Sequence, residues 1–290
     1  MSGLKQLRNR VKSIKSTQKI TKAMHVVSAA KLKKVKEQAE NLNLYSEVLG
    51  SIMYDISTGG NLMDLPAKDR MFFSKKLKEM PYLLVVMTSE RGLCGGFNSS
   101  IIRKVKKDIR TFQKDGKEVK LLVVGKKGRD ALRGKYAKLI EEYYPNPKGN
   151  AACMSRQVKN KMIEMIENEE AGACYMYYNK FKNAMTQVMT RRKILPASNT
   201  ANAKESTVSE YEYEGENLVH EVINLYMSGQ INYGLLQNKA SEEGARMTAM
   251  DNATRNAGEL IEKLTLKLNR SRQAIITTEL TEIISGAEAV

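Results

Sequence analysis

The chain has 290 residues and a mass of 32.6 kDa, enough to bury a sizeable core without disulfides or a structural metal. Forty-eight Lys and Arg against 32 Asp and Glu give a formal charge of +16, with 42% hydrophobic residues, 6% aromatics and no Trp. That composition argues against wholesale disorder and against an aromatic-rich all-β core.

The three cysteines, Cys94, Cys153 and Cys174, are odd in number and share no C-x-x-C spacing. A disulfide framework or a cysteine-based zinc site is not expected. His25 and His220 alone cannot build a histidine-rich metal centre. The longest apolar runs, such as 82–87, fall far short of the ~20 residues a membrane-spanning helix needs. No apolar segment follows the basic N-terminus, so it does not read as a secretory signal.

Proline divides the chain. Pro66, Pro81, Pro145, Pro147 and Pro196 all lie in the middle, leaving residues 1–65 and 197–290 free of it. Proline costs a helix interior about 3 kcal/mol, so the two ends read as long helices and the middle as an inserted domain. In the N-terminal stretch, steps of three and four give Leu4, Leu7, Val11, Ile14, Gln18, Thr21, His25, Ser28, Leu32, Val35, Ala39, Leu42, Ser46, Leu49, Met53 and Ile56. That is a heptad seam. It turns polar between Gln18 and Ser28, where a neighbouring stripe of Ile20, Met24 and Val27 is expected to take over. One helix over 3–57 would run roughly 80 Å, and Gly59-Gly60 supplies its stop. So long a helix needs a partner helix.

The middle alternates strand and helix. Strands are predicted at 82–88, 119–125, 173–178 and 187–194, and helices at 101–112, 127–139 and 156–168. Continuous apolar strands alternating with helices predict a mainly parallel, Rossmann-like sheet covered on both faces. Residues 199–209 read as a polar loop. From Leu218 the helical pattern resumes, with bends expected at Gly229 and near Gly234. Met247, Met250, Ala257, Ile261, Leu264, Leu268, Ile275, Leu280 and Ile284 then form an apolar stripe. The fold expected is therefore a long antiparallel coiled coil of the two terminal helices with a central α/β domain between them. Its parts are residues 1–58 (first helix), 59–80 (linker), 81–207 (α/β domain) and 208–290 (last helix).

Chemistry is sparse. The loop 89–98 follows a strand and precedes a helix, where a phosphate-binding turn would sit. Its glycines, Gly92, Gly95 and Gly96, are spaced G-x-x-G-G rather than G-x-G-x-x-G, and the better reading is a structural turn. Cys94 beside Arg91 reads as a packed side chain rather than an activated thiol. No carboxylate pair or triad stands out. The first 36 residues, by contrast, hold eleven basic residues and no acid. Arg8, Arg10, Lys12, Lys15, Lys19 and Lys22 form a basic face, and an unmixed run of this length implies an acidic partner. No aromatics interleave with it, so a protein partner ranks above nucleic acid.

Several stretches resemble one family closely. LRNRVKSIKSTQKITKAM (7–24) and AAKL (29–32) are similar to the opening helix of the gamma subunits of F-type ATP synthases. TSERGLCGGFN (88–98) resembles that family's central loop. ARMTAMDNATRNA (245–257) and NRSRQAIITTELTEIISGA (269–287) resemble its C-terminal helix. The resemblance spans nearly the whole chain. It implies a non-catalytic rotor shaft that couples rotation of a c-ring to conformational change at catalytic beta subunits. The implied partners are a hexamer of three alpha and three beta subunits, the epsilon subunit and the c-ring. ATP, ADP and Mg would bind the alpha and beta partners, leaving this chain with no cofactor. By the same resemblance, Arg272, Gln273 and Thr277 meet a beta-subunit catch loop, and Met24 and Arg246 meet the beta lever. Residues 283–290 run in an apolar sleeve. Tyr211, Tyr213 and Lys33 mark the foot near epsilon and the c-ring. Membrane association would come only through the complex, at the cytoplasmic face of a bacterial inner membrane, or alternatively at the matrix side of a mitochondrial inner membrane.

Overall fold

A computed structural model describes residues 2–59, 62, 65–145, 151–196 and 217–288. By their contacts the residues form two compact units, one of 1–29 with 246–290, the other of 30–245. Helix α1 (Ser2–Gly59) and the last helix, α6 (Leu218–Glu288), each contribute to both.

The larger unit is built on a five-stranded sheet. Its strands are β1 (Tyr82–Met87), β2 (Val119–Val124), β3 (Ile140–Tyr144), β4 (Cys174–Phe181) and β5 (Gln187–Leu195), in spatial order β3-β2-β1-β4-β5. β1 runs parallel to β2 and β4, and β2 parallel to β3; β5 returns antiparallel to β4 at the edge. Between them lie α2 (Ala67–Met71), α3 (Phe97–Lys114), α4 (Lys126–Leu132) and α5 (Ala151–Glu167).

The period of two along a strand separates two cores. Leu83, Val85 and Met87 face one side with Val158 and Met162 of α5, Leu49 and Met53 of α1, and Ile223 and Met227 of α6. Leu84 and Val86 face the other side with Phe97, Ile101, Val105 and Ile109 of α3 and Leu132 of α4. Both faces being covered, the central strand β1 is apolar throughout, as the interior of a parallel sheet requires.

Several boundaries differ from the sequence expectation. α3 starts at Phe97 and α5 at Ala151, each several residues early. The helix expected over 127–139 stops at Leu132, and β3 follows after a 3-10 turn at Ala137–Leu139. β3 reads IEEYY because it is an edge strand whose Glu141 points to solvent and meets Lys120 at 3.5 Å. The stretch expected as a linker carries α2 and a 3-10 turn at Lys75–Lys78, and buries Phe72 and Leu77 completely. α6 is one continuous helix through Gly229 and Gly234. These glycines serve close packing: a Cβ at Gly234 would strike the Met176 side chain. The loop expected at 199–209 lies outside the described residues.

Candidate functional site

The strand-to-helix loop after β1 is satisfied by its own residues. Asn98 Oδ1 accepts from the Ser89 backbone N–H at 3.0 Å, while its Nδ2 donates to Ser89 Oγ at 2.8 Å and to Cys94 Sγ at 3.3 Å. Glu90 reaches across to α4, where its Oε2 accepts from the Lys126 N–H at 3.1 Å. A carboxylate thus sits where a phosphate would meet that helix end. Thr88 Oγ1 accepts from Gly128 N–H at 2.8 Å, and Gly125, at φ 92°, passes so close to the Thr88 carbonyl that any Cβ would collide with it. The loop is a structural turn. Cys94 is buried in the core, as expected of a packed side chain. Burial pushes the Cys174 thiol well above its ordinary range, which keeps it unreactive. His220 Nδ1 lies 2.9 Å from the Asp69 carboxylate, tying α2 to α6. Among the described residues no group of three His, Cys, Asp or Glu is placed to hold a metal ion, and no helix is long and apolar enough to cross a membrane.

The smaller unit carries the surface features. Within it α1 and α6 run antiparallel: Gln18 lies against Gly258 and Thr21 against Thr254. The polar part of the seam lies in the helix interface like its apolar part. Thr21 shares a 2.7 Å hydrogen bond with Thr254 Oγ1, and Gln18 Nε2 donates to the Thr254 carbonyl at 3.3 Å. Ser28 is 2% exposed. The apolar stripe expected to replace the seam does not: Ile20 is 60% and Val27 52% exposed, with Met24 half-buried. Hydrogen bonds across the pair hold the heptad register where the seam lacks apolar residues, so the neighbouring stripe is left facing outward.

Arg8, Arg10, Lys12, Lys15, Lys19 and Lys22 are all exposed. Among the described residues none of them pairs with a carboxylate of this chain, in which residues 1–29 hold seven basic side chains and no acid. The α6 part, 246–290, holds six of each sign. The unit's excess positive charge therefore lies wholly on α1.

On the 250–290 part of α6, Met250, Thr254, Ala257, Ile261, Leu264, Leu268 and Ile275 are among the buried or half-buried positions. The pairing of Thr21 with Thr254 brings the start of α1 to about residue 271–275 of α6, and from Ile276 to Ser285 every residue is exposed. Arg272, Gln273 and Thr277 lie at this transition with exposed side chains. Leu280 and Ile284, expected to continue the stripe, are 54% and 58% exposed, and Ile283 is 67% exposed. Arg246 is 8% exposed and so is buried within the chain; Lys33, on the α1 segment of the larger unit, is exposed. Tyr211 and Tyr213 lie outside the described residues. Sequence reasoning did not find the outward Ile20–Val27 stripe. Its signal was present in the polar Gln18, Thr21 and Ser28, whose side chains can pair across two helices.

Comparison with known proteins supplies the remaining finding. A family model described as ATP synthase matches residues 3–290. A curated relative from Rickettsia felis, "ATP synthase gamma chain", is 54% identical over 290 residues, covering all of both chains. A chain of the Tetrahymena thermophila mitochondrial ATP synthase central stalk and c-ring structure is 28% identical, with a TM-score of 0.52, covering 81% of this chain and 99% of that one. The rotor structure of the Euglena gracilis mitochondrial ATP synthase shares the fold at a TM-score of 0.67 and 17% identity, covering 95% of this chain and 99% of that one.

Proposed function

The chain belongs to the ATP synthase gamma-chain family, and from that premise we propose that it is the rotor shaft of a proton-translocating synthase, coupling c-ring rotation to its catalytic beta subunits. The observation that carries this reading is the end of α6. Ten consecutive residues, 276–285, are exposed on a helix that has outrun its mate, and four of them are Ile276, Leu280, Ile283 and Ile284. A helix end with unburied apolar residues calls for a surrounding partner.

The coupling follows from differential free energy. A partner shifts a conformational equilibrium only by the difference in its interaction with the two states. A shaft with one basic helix and one charge-balanced helix is asymmetric about its axis. It therefore presents a different surface to each of three surrounding subunits and exchanges those surfaces as it turns. The unneutralised Arg8–Lys22 face favours whichever subunit turns acidic side chains toward it. Arg272 and Gln273 supply donors, and Gln273 and Thr277 acceptors, for a beta-subunit loop. Met24 and Arg246 act at the beta lever, with Arg246 held by its own chain until the partner engages. Residues 283–290 run in an apolar sleeve.

The chain itself is the transmitter, and nucleotide and Mg bind the alpha and beta subunits. Lys33, with Tyr211 and Tyr213, belongs to the foot that meets epsilon and the c-ring. The complex holds the chain at the cytoplasmic face of a bacterial inner membrane. Mixing it with cognate alpha and beta subunits tests the reading. One copy per three alpha-beta pairs, with raised ATP hydrolysis, is the expected result. A competent hexamer that excludes the chain would refute it.

A further inference from the structure

The chain passes between its two units at two places, 29/30 in α1 and 245/246 in α6. Torque that reaches the larger unit is therefore handed on along these two helices. Twisting a two-helix shaft makes its helices slide along each other, so its stiffness depends on how firmly their register is fixed. Within the larger unit the buried positions of α1, among the described residues, are Ala39, Ser46, Leu49, Met53 and Ile56. Ala39, Ser46 and Met53 stand seven residues apart, at one heptad position. An apolar heptad seam does not by itself forbid a slip of seven residues, because the slipped helix presents the same pattern again.

Ser46 breaks that repeat. It is buried and faces Gln230 of α6, which is fully buried. Ser46 Oγ donates to Gln230 Oε1 at 3.2 Å, and Gln230 Nε2 donates to the Ser46 carbonyl at 3.0 Å. The two helices approach closely here: a Cβ at Gly229 would come within 3.1 Å of the Leu49 side chain. The buried amides further along α6 turn to the sheet instead, where Gln237 Oε1 and Asn238 Oδ1 accept from the Phe181 and Asn179 N–H groups. A slip of seven residues would bring Ala39 or Met53 opposite Gln230, and neither side chain can pair with its amide. A buried amide stripped of its partners is costly, so the slipped register is penalised at this one point.

We propose that Ser46 and Gln230 are positioning residues for torque transfer: they fix the axial register of α1 against α6, and so keep the shaft from slipping under load. The inference rests on the rotor reading and adds to it the residues that make the shaft stiff. The pair serves register rather than stability, since two apolar side chains of matching shape would hold the helices together about as well.

Three variants separate register from stability. Ser46→Ala leaves the Gln230 Oε1 acceptor without its donor but keeps the Nε2 bond to the backbone. Gln230→Met removes both bonds, and the freed Ser46 hydroxyl can donate to the Leu42 carbonyl of its own helix. The double variant removes both polar groups. In the full free chain Ser46→Ala should melt lowest, and the double variant within about 3 °C of the parent. The same chains are then reassembled with their cognate subunits in vesicles, and proton uptake is measured against ATP hydrolysed. Hydrolysis should continue at the parent rate, while protons taken up per ATP fall severalfold in Gln230→Met and in the double variant, and less in Ser46→Ala. Melting and coupling thus rank the variants differently, which a purely structural role would not produce. Ser155→Ala removes a buried hydroxyl that bonds α5 to the Ser228 carbonyl of α6 at 2.9 Å, and should leave coupling unchanged. Parent-like proton uptake per ATP in the double variant would overturn the proposal. So would coupling that falls in step with melting temperature across the variants, or an equal loss in Ser155→Ala. A parent chain that drives no proton uptake would refute the rotor reading itself, and the proposal with it.

Discussion

The two units of this chain are stabilised by different chemistry. The larger one holds every aromatic residue, every cysteine and every proline of the sequence; residues 1–29 and 246–290 contain none of them. Its sheet is buried on both faces, with Leu83 to Met87 fully inaccessible. The smaller unit is a helix pair whose most buried positions include Thr21, Ser28 and Ala257, and whose large apolar side chains Ile20, Val27, Leu280 and Ile283 face outward. One unit is organised to be stable by itself. The other keeps apolar surface in reserve, which is what a segment completed by other subunits requires. Residue composition alone already separates the two roles.

The sharpest way to break this contrast is in the larger core. Met162 is fully buried on α5 against the sheet, and Met162→Ala should cost about 2–5 kcal/mol. Hydrogen exchange should show that loss in residues 30–245. Equal loss of protection throughout 1–29 and 246–288 would mean that the units do not unfold separately.

Next in size is the end of α6. Arg272→Ala combined with Gln273→Ala should change the free chain by less than about 0.5 kcal/mol, as exposed substitutions do. The same pair should lower assembly or stimulated hydrolysis with alpha and beta subunits severalfold. Destabilisation of the free chain by the pair would show that these side chains serve the fold instead.

The polar seam gives a smaller effect with a diagnostic sign. Thr21→Val removes the cross-helix partner of the half-buried Thr254 hydroxyl, which still donates to the Met250 carbonyl, and should cost about 1 kcal/mol or less. Adding Thr254→Val should recover most of it, because two apolar groups of similar shape replace both partners. A double variant as unstable as the sum of the singles, or worse, would mean that the two hydroxyls do not stabilise each other.

The mildest test is alkaline. Burial, more than any neighbouring charge, raises the phenols of Tyr144, Tyr177 and Tyr178, the last to about 12. A raised folded-state value keeps the neutral form in the native protein while the unfolded chain ionises near 10. Their contribution is complete below pH 10 and is lost as pH climbs from there toward 12. The urea midpoint of the larger unit should fall across that window. The smaller unit, having no tyrosine, should not follow it.

How far the sequence spoke differs between the same two units. The apolar runs that became β1 and β2 declared themselves, since a strand buried on both faces has no polar alternation to dilute it. β3 did not, because IEEYY at a sheet edge keeps Glu141 in solvent and balances it with Lys120 from β2, a pairing that sequence spacing cannot reveal. Phe72 and Leu77 lie in a Pro-flanked stretch that reads as a connection, yet both are core. In the helix pair, the three-four spacing located all the buried positions of α1, including the polar ones. Assigning the interface to Ile20 and Val27 failed because hydrophobicity was given precedence over register, whereas Gln18 and Thr21 satisfy each other's surroundings through Thr254.

Rotation is the most direct test of the central claim. Met185, 84% exposed in the turn between β4 and β5, offers a handle on the larger unit. A bead attached at Met185→Cys, in a complex with immobilised alpha and beta subunits, should turn in one direction on addition of ATP, pausing at three equivalent angles. A bead that stays fixed while the complex hydrolyses ATP at full rate would contradict the account.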